Sequence, residues 1–164
     1  MYVDSVAFAI YKRAIFEKIG LLDEELIRNQ DDEFHYRINA NNYRILMVPE
    51  MECTYYVRES MRGLFKQYFQ YGYYKPLVLK KVRSGIRPRH LIPAAFVLYL
   101  LSLPLAMVWA AWLIPLALYF VIDMYCAFSN NQPLPVRLMS LLVFPTLHIS
   151  YGLGFISGLK FLVR

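Results

Sequence analysis

The sequence predicts a partial α/β unit followed by an α-helical membrane region of about three transmembrane helices. Two observations predict it. The first is charge segregation. Fifteen of the 18 Lys and Arg and 11 of the 12 Asp and Glu lie in residues 1–90, whereas Leu91–Ile122 and Leu138–Leu159 contain no charged residue. The second is that the charged part alternates short apolar and aromatic runs with helically spaced ones, as strands and helices do. Hydrophobic residues make up 58% of the chain, above the roughly 45–50% of soluble domains, and the excess sits in the uncharged part.

Within residues 1–60, Ser5–Tyr11 (SVAFAIY) reads as a strand and Arg13–Ile19 as a short helix stopped by Gly20. Asn29 is placed to cap a helix over about 31–40. Its first turn holds Asp31, Asp32 and Glu33, where the helix dipole favours acids. Glu33 and Arg37 are four apart and can pair on one face. Tyr43–Val48 reads as a strand ended by Pro49, and Cys53–Val57 as another. A sheet this small buries little apolar surface by itself, and the chain has neither a Gly-rich phosphate loop nor a DxD. The expectation is that strands are missing on the amino-terminal side, with Met1 an internal methionine or a misplaced start.

Residues 61–90 read as an amphipathic interface helix, Met61–Tyr74, followed by a basic juxtamembrane segment. Residues 62–90 hold eight Lys and Arg and no acid. Next to an apolar span such charge favours the cytoplasmic face and anionic lipid headgroups, so membrane lipids are the expected partner and nucleic acid is not. Residues 91–128 read as a transmembrane hairpin with a tight turn, the alternative being a re-entrant pair. Residues 129–137 read as a loop and 138–159 as a third transmembrane helix. Three crossings put Lys160 and Arg164 on the far side, against the positive-inside rule. The amino terminus lacks the pattern of a signal peptide. Cys53 and Cys126 read as buried reduced thiols, not as a disulfide or zinc ligands. Inside the apolar part, Asp123 is expected near a helix end and His148 bonded to a neighbouring helix. Gly154 and Gly158 give a smooth face for helix packing within or between chains.

The densest acid cluster lies in NQDDEFHYR, residues 29–37. A solvated helix start, a metal site and a general base all suit it. Consecutive helical residues point about 100° apart, so three in a row do not converge on one ion, and no metal site is expected here.

From Gly20 onward the chain resembles the second half of a family 2 glycosyltransferase, of the membrane-anchored bacterial exopolysaccharide (succinoglycan) type. GLLDEEL resembles the family's Gly-x-Phe-Asp-Glu, with Leu22 in place of Phe. RNQDDEFHYRI resembles its Glu-Asp motif with Arg six residues on, with Gln30 in place of Glu. The segment holding Gln67, Gln70 and Tyr71 resembles Gln-x-x-Arg-Trp, with two replacements that argue for a transferase adding one sugar. HISYGLGFISGL resembles the last helix of the group. The resemblance implies a GT-A-like catalytic domain whose carboxy-terminal part is residues 1–60. It implies inverting transfer from a nucleotide-sugar donor to a lipid-linked or glycan acceptor, in the bacterial inner membrane, with residues 1–90 facing the cytoplasm. Asp31 is then the general base, Asp23 and Glu24 acceptor contacts, and Arg58, Gln67 and Tyr71 donor-side or interface residues. Asp32, Glu33 and Arg37 are structural support. A divalent Mg or Mn is implied for the full-length family, whose DxD ligands are absent here, so this chain alone is expected to be inactive. The rival reading is a small non-catalytic integral membrane protein, either an assembly partner or a truncated remnant.

Overall fold

The computed structural model describes residues 1–82, 88–129 and 131–163. Arg83, Arg87 and Arg164 lie outside the described residues. The first lobe contains β1 (Tyr2–Val3), α1 (Arg13–Ile19), α2 (Gln30–Ala40) and β2 (Ile45–Leu46). The membrane-type part contains α3 (Met61–Val82), α4 (Pro88–Leu101), two 3-10 turns (Leu103–Met107 and Ala110–Leu113), α5 (Ile114–Phe128), α6 (Leu134–Gly158) and α7 (Lys160–Val163).

Helix dominates, which overturns the α/β expectation and the GT-A-like half drawn from it. Among the described residues the two strands are two residues long, paired antiparallel with Tyr2 opposite Leu46 and Val3 opposite Ile45. Ser5–Tyr11 and Cys53–Val57 form no strand, and Tyr43–Val48 contributes two ladder residues. A strand persists only where a neighbour completes its backbone hydrogen bonds, and among the described residues no strand pairs with Ser5–Tyr11 or Cys53–Val57. The apolar residues of 5–11 serve another purpose. Val6 and Tyr11 pack onto the core of Phe34, Ile38 and Ile45. Phe16 stacks on Phe34 with ring centroids 5.3 Å apart, and Tyr11 meets the same ring edge-on at 5.0 Å.

Helix α1 ends at Gly20, whose φ of 89° is left-handed territory and whose N–H closes onto the Phe16 carbonyl. Helix α3 continues past its expected end at Tyr74, through Pro76. Proline inside a helix removes a hydrogen bond; here Pro76 is buried against α6, near Gly158, and tertiary packing carries the helix on. The expected tight turn of the 91–128 hairpin is instead a linker of 3-10 turns. Tyr99 donates to the Trp112 carbonyl at 2.7 Å and the Trp112 indole to Ser102 Oγ at 3.0 Å, so the linker folds back on α4. Helix α6 begins at Leu134, inside the expected loop, because Pro135 sits at the helix start, where its missing N–H costs nothing.

Among the described residues two helical stretches, Ala110–Phe128 and Leu134–Val163, rather than the expected three are long and apolar enough to cross a membrane; His90–Leu101 is apolar but shorter. Cys126 in the first of these and Cys53 before α3, both expected to be buried, are exposed. Helices α3, α4 and α6 meet at Leu79, Ala94 and Phe155. Backbones touch between α3 and α6. A Cβ added to Gly154 or Gly158 would run into the carbonyl oxygens of Phe69 and Tyr73, and one added to Gly72 into that of Tyr151. The smooth face of α6 is thus taken up within the chain. Lys160 lies over the Tyr73 ring at 4.9 Å and Lys80 donates to the Phe161 carbonyl, so the tail rests beside α3.

Candidate active site

Residues 29–33 turn the chain into α2, and each acid of the first turn takes a different direction. Asn29 occupies the cap position in a left-handed conformation (φ 63°), without a capping side-chain bond. Its Nδ2 reaches across to the Tyr71 carbonyl of α3 at 3.0 Å instead. Asp32 pairs with the buried ammonium of Lys75 on α3. Glu33 turns inward and accepts two bonds of 2.7 and 2.9 Å from Arg37, which also donates to the carbonyls of Ile19 and Leu21. Asp31 stays exposed, one oxygen accepting the Asp32 N–H at 2.9 Å.

Asp31 and Asp32 line a cleft of about 730 Å³ at the seam between the first lobe and the long helices, within the size range of small-molecule sites. Ser5 and Tyr11 form part of one wall; Tyr71 and Lys75 of α3 and Tyr151 of α6 form the other. The lobe is held to α3 by a polar seam. Arg28 donates to Gln70 at 3.0 Å, Asn29 to Tyr71, and Lys75 and Lys81 to carboxylates.

Behind Asp31, one helical turn along the same face, lies His35, 1% exposed. Its Nε2 is 2.7 Å from the Tyr11 hydroxyl and its Nδ1 is 2.9 Å from the Ser5 hydroxyl. Burial pushes the imidazole below its ordinary value, partly opposed by the charges of Asp31 and Asp32. Burial raises the Tyr11 phenol, and the Asp31 charge adds to that.

The remaining expected residues are dispersed. Asp23 accepts the Glu25 N–H at 2.9 Å and pairs with Lys81, which also binds Glu25. Burial alone would raise the Asp23 carboxyl; the Lys81 ammonium and the Glu25 N–H outweigh it and hold the group below its usual value. Lys81 is correspondingly raised against its own desolvation by Asp23 and Glu25. Glu24 is exposed, and it is Glu25 that joins the Lys81 pair. Asp23 and Glu24 do not line the cleft, although Leu22 does. Arg58 is exposed in the irregular stretch before α3. Gln67 donates to the Tyr71 hydroxyl at 2.8 Å, and of these two only Tyr71 reaches the cleft.

Sequence reasoning missed His35, Tyr11, Ser5, Lys75 and Lys81. The spacing of His35 from Asp31 was a usable signal. The partners on α3 lie more than forty residues away and left none. The divalent ion implied by the resemblance does not fit the acids of α2. Asp32 and Glu33 are already neutralised by Lys75 and Arg37, and among the described residues no three His, Cys, Asp or Glu side chains are grouped to hold an ion. In the apolar part the Tyr119 hydroxyl meets His148 Nδ1 at 2.9 Å between α5 and α6, beside the buried Asp123.

No family model matches the chain, and no solved structure matches it. Two curated proteins are similar to it. The succinoglycan biosynthesis protein ExoA of Rhizobium meliloti is 33% identical over 87 residues, covering 53% of this chain and 26% of that protein. The dolichyl N-acetyl-alpha-D-glucosaminyl phosphate 3-beta-D-2,3-diacetamido-2,3-dideoxy-beta-D-glucuronosyltransferase of Methanococcus voltae is 28% identical over 161 residues, covering 96% of this chain and 49% of that protein. The chain therefore spans about a quarter of the first and about half of the second. The first relative's name places it in succinoglycan biosynthesis, and the second's is that of a glycosyltransferase.

Proposed function

We propose that this chain supplies the general base and the acceptor wall of an inverting glycosyltransferase that works at a membrane surface. One observation carries the reading: of the three adjacent acids, Asp32 and Glu33 are held in ion pairs, whereas Asp31 is exposed and lines the cleft. In the reaction the acceptor hydroxyl oxygen forms a bond to the anomeric carbon. The nucleotide leaves from the opposite face with the bonding electron pair, and the hydroxyl proton passes to the Asp31 carboxylate. A hydroxyl ionises far above neutral pH, so this transfer contributes about 10²–10⁴-fold. Lys75 and Arg37 support it by neutralising Asp32 and Glu33, whose charge would otherwise crowd the site.

The donor in this proposal is a nucleotide-sugar and the acceptor a lipid-linked sugar. Two features support the acceptor. Tyr151 of the apolar helix α6 lines the cleft, and the name of the Methanococcus relative describes transfer to a dolichyl-phosphate-linked sugar. Residues 1–90 face the cytoplasm in this reading, because the basic segment adjoins the first apolar helix. Asp23 and Glu24 stand at the approach to the cleft rather than in it, and Arg58 and Gln67 at the interface with the rest of the enzyme. Since the relatives are at least about twice as long, residues 1–164 alone are expected to transfer no sugar.

The test is Asp31→Asn in the full-length protein. Transfer should fall by about 10²–10⁴-fold, with donor binding nearly unchanged. Unaltered turnover would assign the base elsewhere.

A further inference from the structure

The buried imidazole of His35 bridges two hydroxyls, Tyr11 at Nε2 and Ser5 at Nδ1, and both of those residues line the cleft that Asp31 faces. A neutral imidazole has one donor nitrogen and one acceptor nitrogen. Which is which follows from the partners. A phenol is a far stronger acid than an aliphatic alcohol, so it is the better donor. Tyr11 therefore donates to Nε2, and the Nδ1 proton goes to the Ser5 oxygen. The consequence appears on the other side of each hydroxyl. Tyr11 has spent its only proton and presents oxygen lone pairs to the cleft. Ser5 keeps its proton and presents a donor.

From this we infer that Ser5 and Tyr11, keyed by His35, form a subsite for a hydroxyl of the acceptor sugar next to the reacting one, with Ser5 donating and Tyr11 accepting. A sugar hydroxyl both donates and accepts, so one such group satisfies both. The pair lies along the wall from Asp31, close enough for the Asp31 charge to act on the Tyr11 phenol. A site built to bond a hydroxyl rejects the analogue lacking it, because its own polar groups are then left unpaired. His35 touches no substrate in this arrangement; it is a positioning residue. The inference rests on Asp31 marking an acceptor cleft.

The test uses the full-length protein in lipid nanodiscs. The probe is a short-prenyl phosphate-linked N-acetylglucosamine, the acceptor type in the name of the Methanococcus relative, together with its 4-deoxy analogue. Tyr11→Phe and Ser5→Ala are each expected to weaken probe binding about three- to tenfold, the loss of one hydrogen bond, with donor binding unmoved. The deoxy analogue forfeits both bonds on the wild type, about ten- to a hundredfold, but only the one remaining bond, about three- to tenfold, on either variant. An equal further loss on the variants, unchanged probe binding by both variants, or no binding of the probe to the wild type would each overturn the subsite. Independently, nitrogen-correlated NMR of His35 should show the proton on Nδ1; a proton on Nε2 reverses the roles and overturns the assignment. Asp31→Asn separates the two ideas. If it abolishes transfer and still binds the probe while the Tyr11 and Ser5 variants behave as wild type, the subsite fails and the base stands. If it transfers normally, the base fails first.

Discussion

The ammonium of Lys75 pairs with Asp32, the residue immediately after Asp31, and the two partners differ in exposure: the Lys75 side chain is 6% accessible and that of Asp32 is 29%. Removing one partner from a buried pair is costly chiefly when the charge left behind is buried. Asp32→Ala leaves the buried Lys75 ammonium without its paired carboxylate, over the Tyr36 ring 5.6 Å away, and should cost about 2–4 kcal/mol. Lys75→Met leaves a carboxylate that water reaches and should cost under about 1 kcal/mol. Thermal unfolding of both variants in detergent tests the asymmetry. Equal losses would mean that exposure does not govern the pair.

Glu33 and Arg37 make the second pair, and Arg37 also ties down the Ile19 and Leu21 carbonyls. Lysine cannot reproduce that fork. Arg37→Lys should destabilise the lobe by about 1–3 kcal/mol and open residues 20–25 to limited proteolysis before any other described loop. A variant cleaved at the wild-type rate would show that the loop is held by other means.

Acid should weaken the fold through His35. Its folded value lies below the ordinary 6.5 because burial disfavours the charged ring. Below that ordinary value the unfolded chain binds more protons than the folded one. The contribution of His35 is therefore complete above about pH 6.5 and is lost as pH falls toward the folded value. Melting temperatures taken between about pH 5 and 8 should fall on the acid side in the wild type. His35→Gln should flatten that slope; an identical slope would place the titration in another group.

At the α3–α6 contact, Gly154→Leu should cost more than about 3 kcal/mol, because overpacking here meets a carbonyl rather than a flexible side chain. Leu153→Ala, on the exposed side of the same turn, should stay within about 1 kcal/mol. Unfolding monitored by helical circular dichroism compares the two. Similar losses would argue against backbone contact at Gly154.

Charge placement made the division of the chain legible from sequence, because a run without charges needs no partner residue to identify it. The helix carrying Asp31 was legible for a similar local reason: acids, an asparagine and the spacing of Phe34 and Ile38 all lie within one short stretch. Strands were misread because Ser5–Tyr11 and Cys53–Val57 have β-type composition, but composition does not provide the neighbouring strand that a ladder requires. Tyr11 instead joins the ring cluster of Phe16 and Phe34, and Phe8, Tyr55 and Tyr56 lie exposed. The length of α3 was misread at Pro76, where packing against α6 overrides a local breaker. The cleft depends on pairings such as Asn29 with Tyr71 and Asp32 with Lys75, and nothing in either segment announces the other.

The glycine contacts that join α3 to α6 have a consequence for reach. Tyr71 and Lys75 stand on α3 and Tyr151 on α6, so cleft and apolar helix share one stiff joint instead of a linker. With α6 embedded, the height of Asp31 above the hydrocarbon becomes a fixed standoff. On the proposed reading, a bilayer-tethered acceptor then meets a gauge: a spacer too short leaves its hydroxyl below the carboxylate, and one too long must fold back to present it.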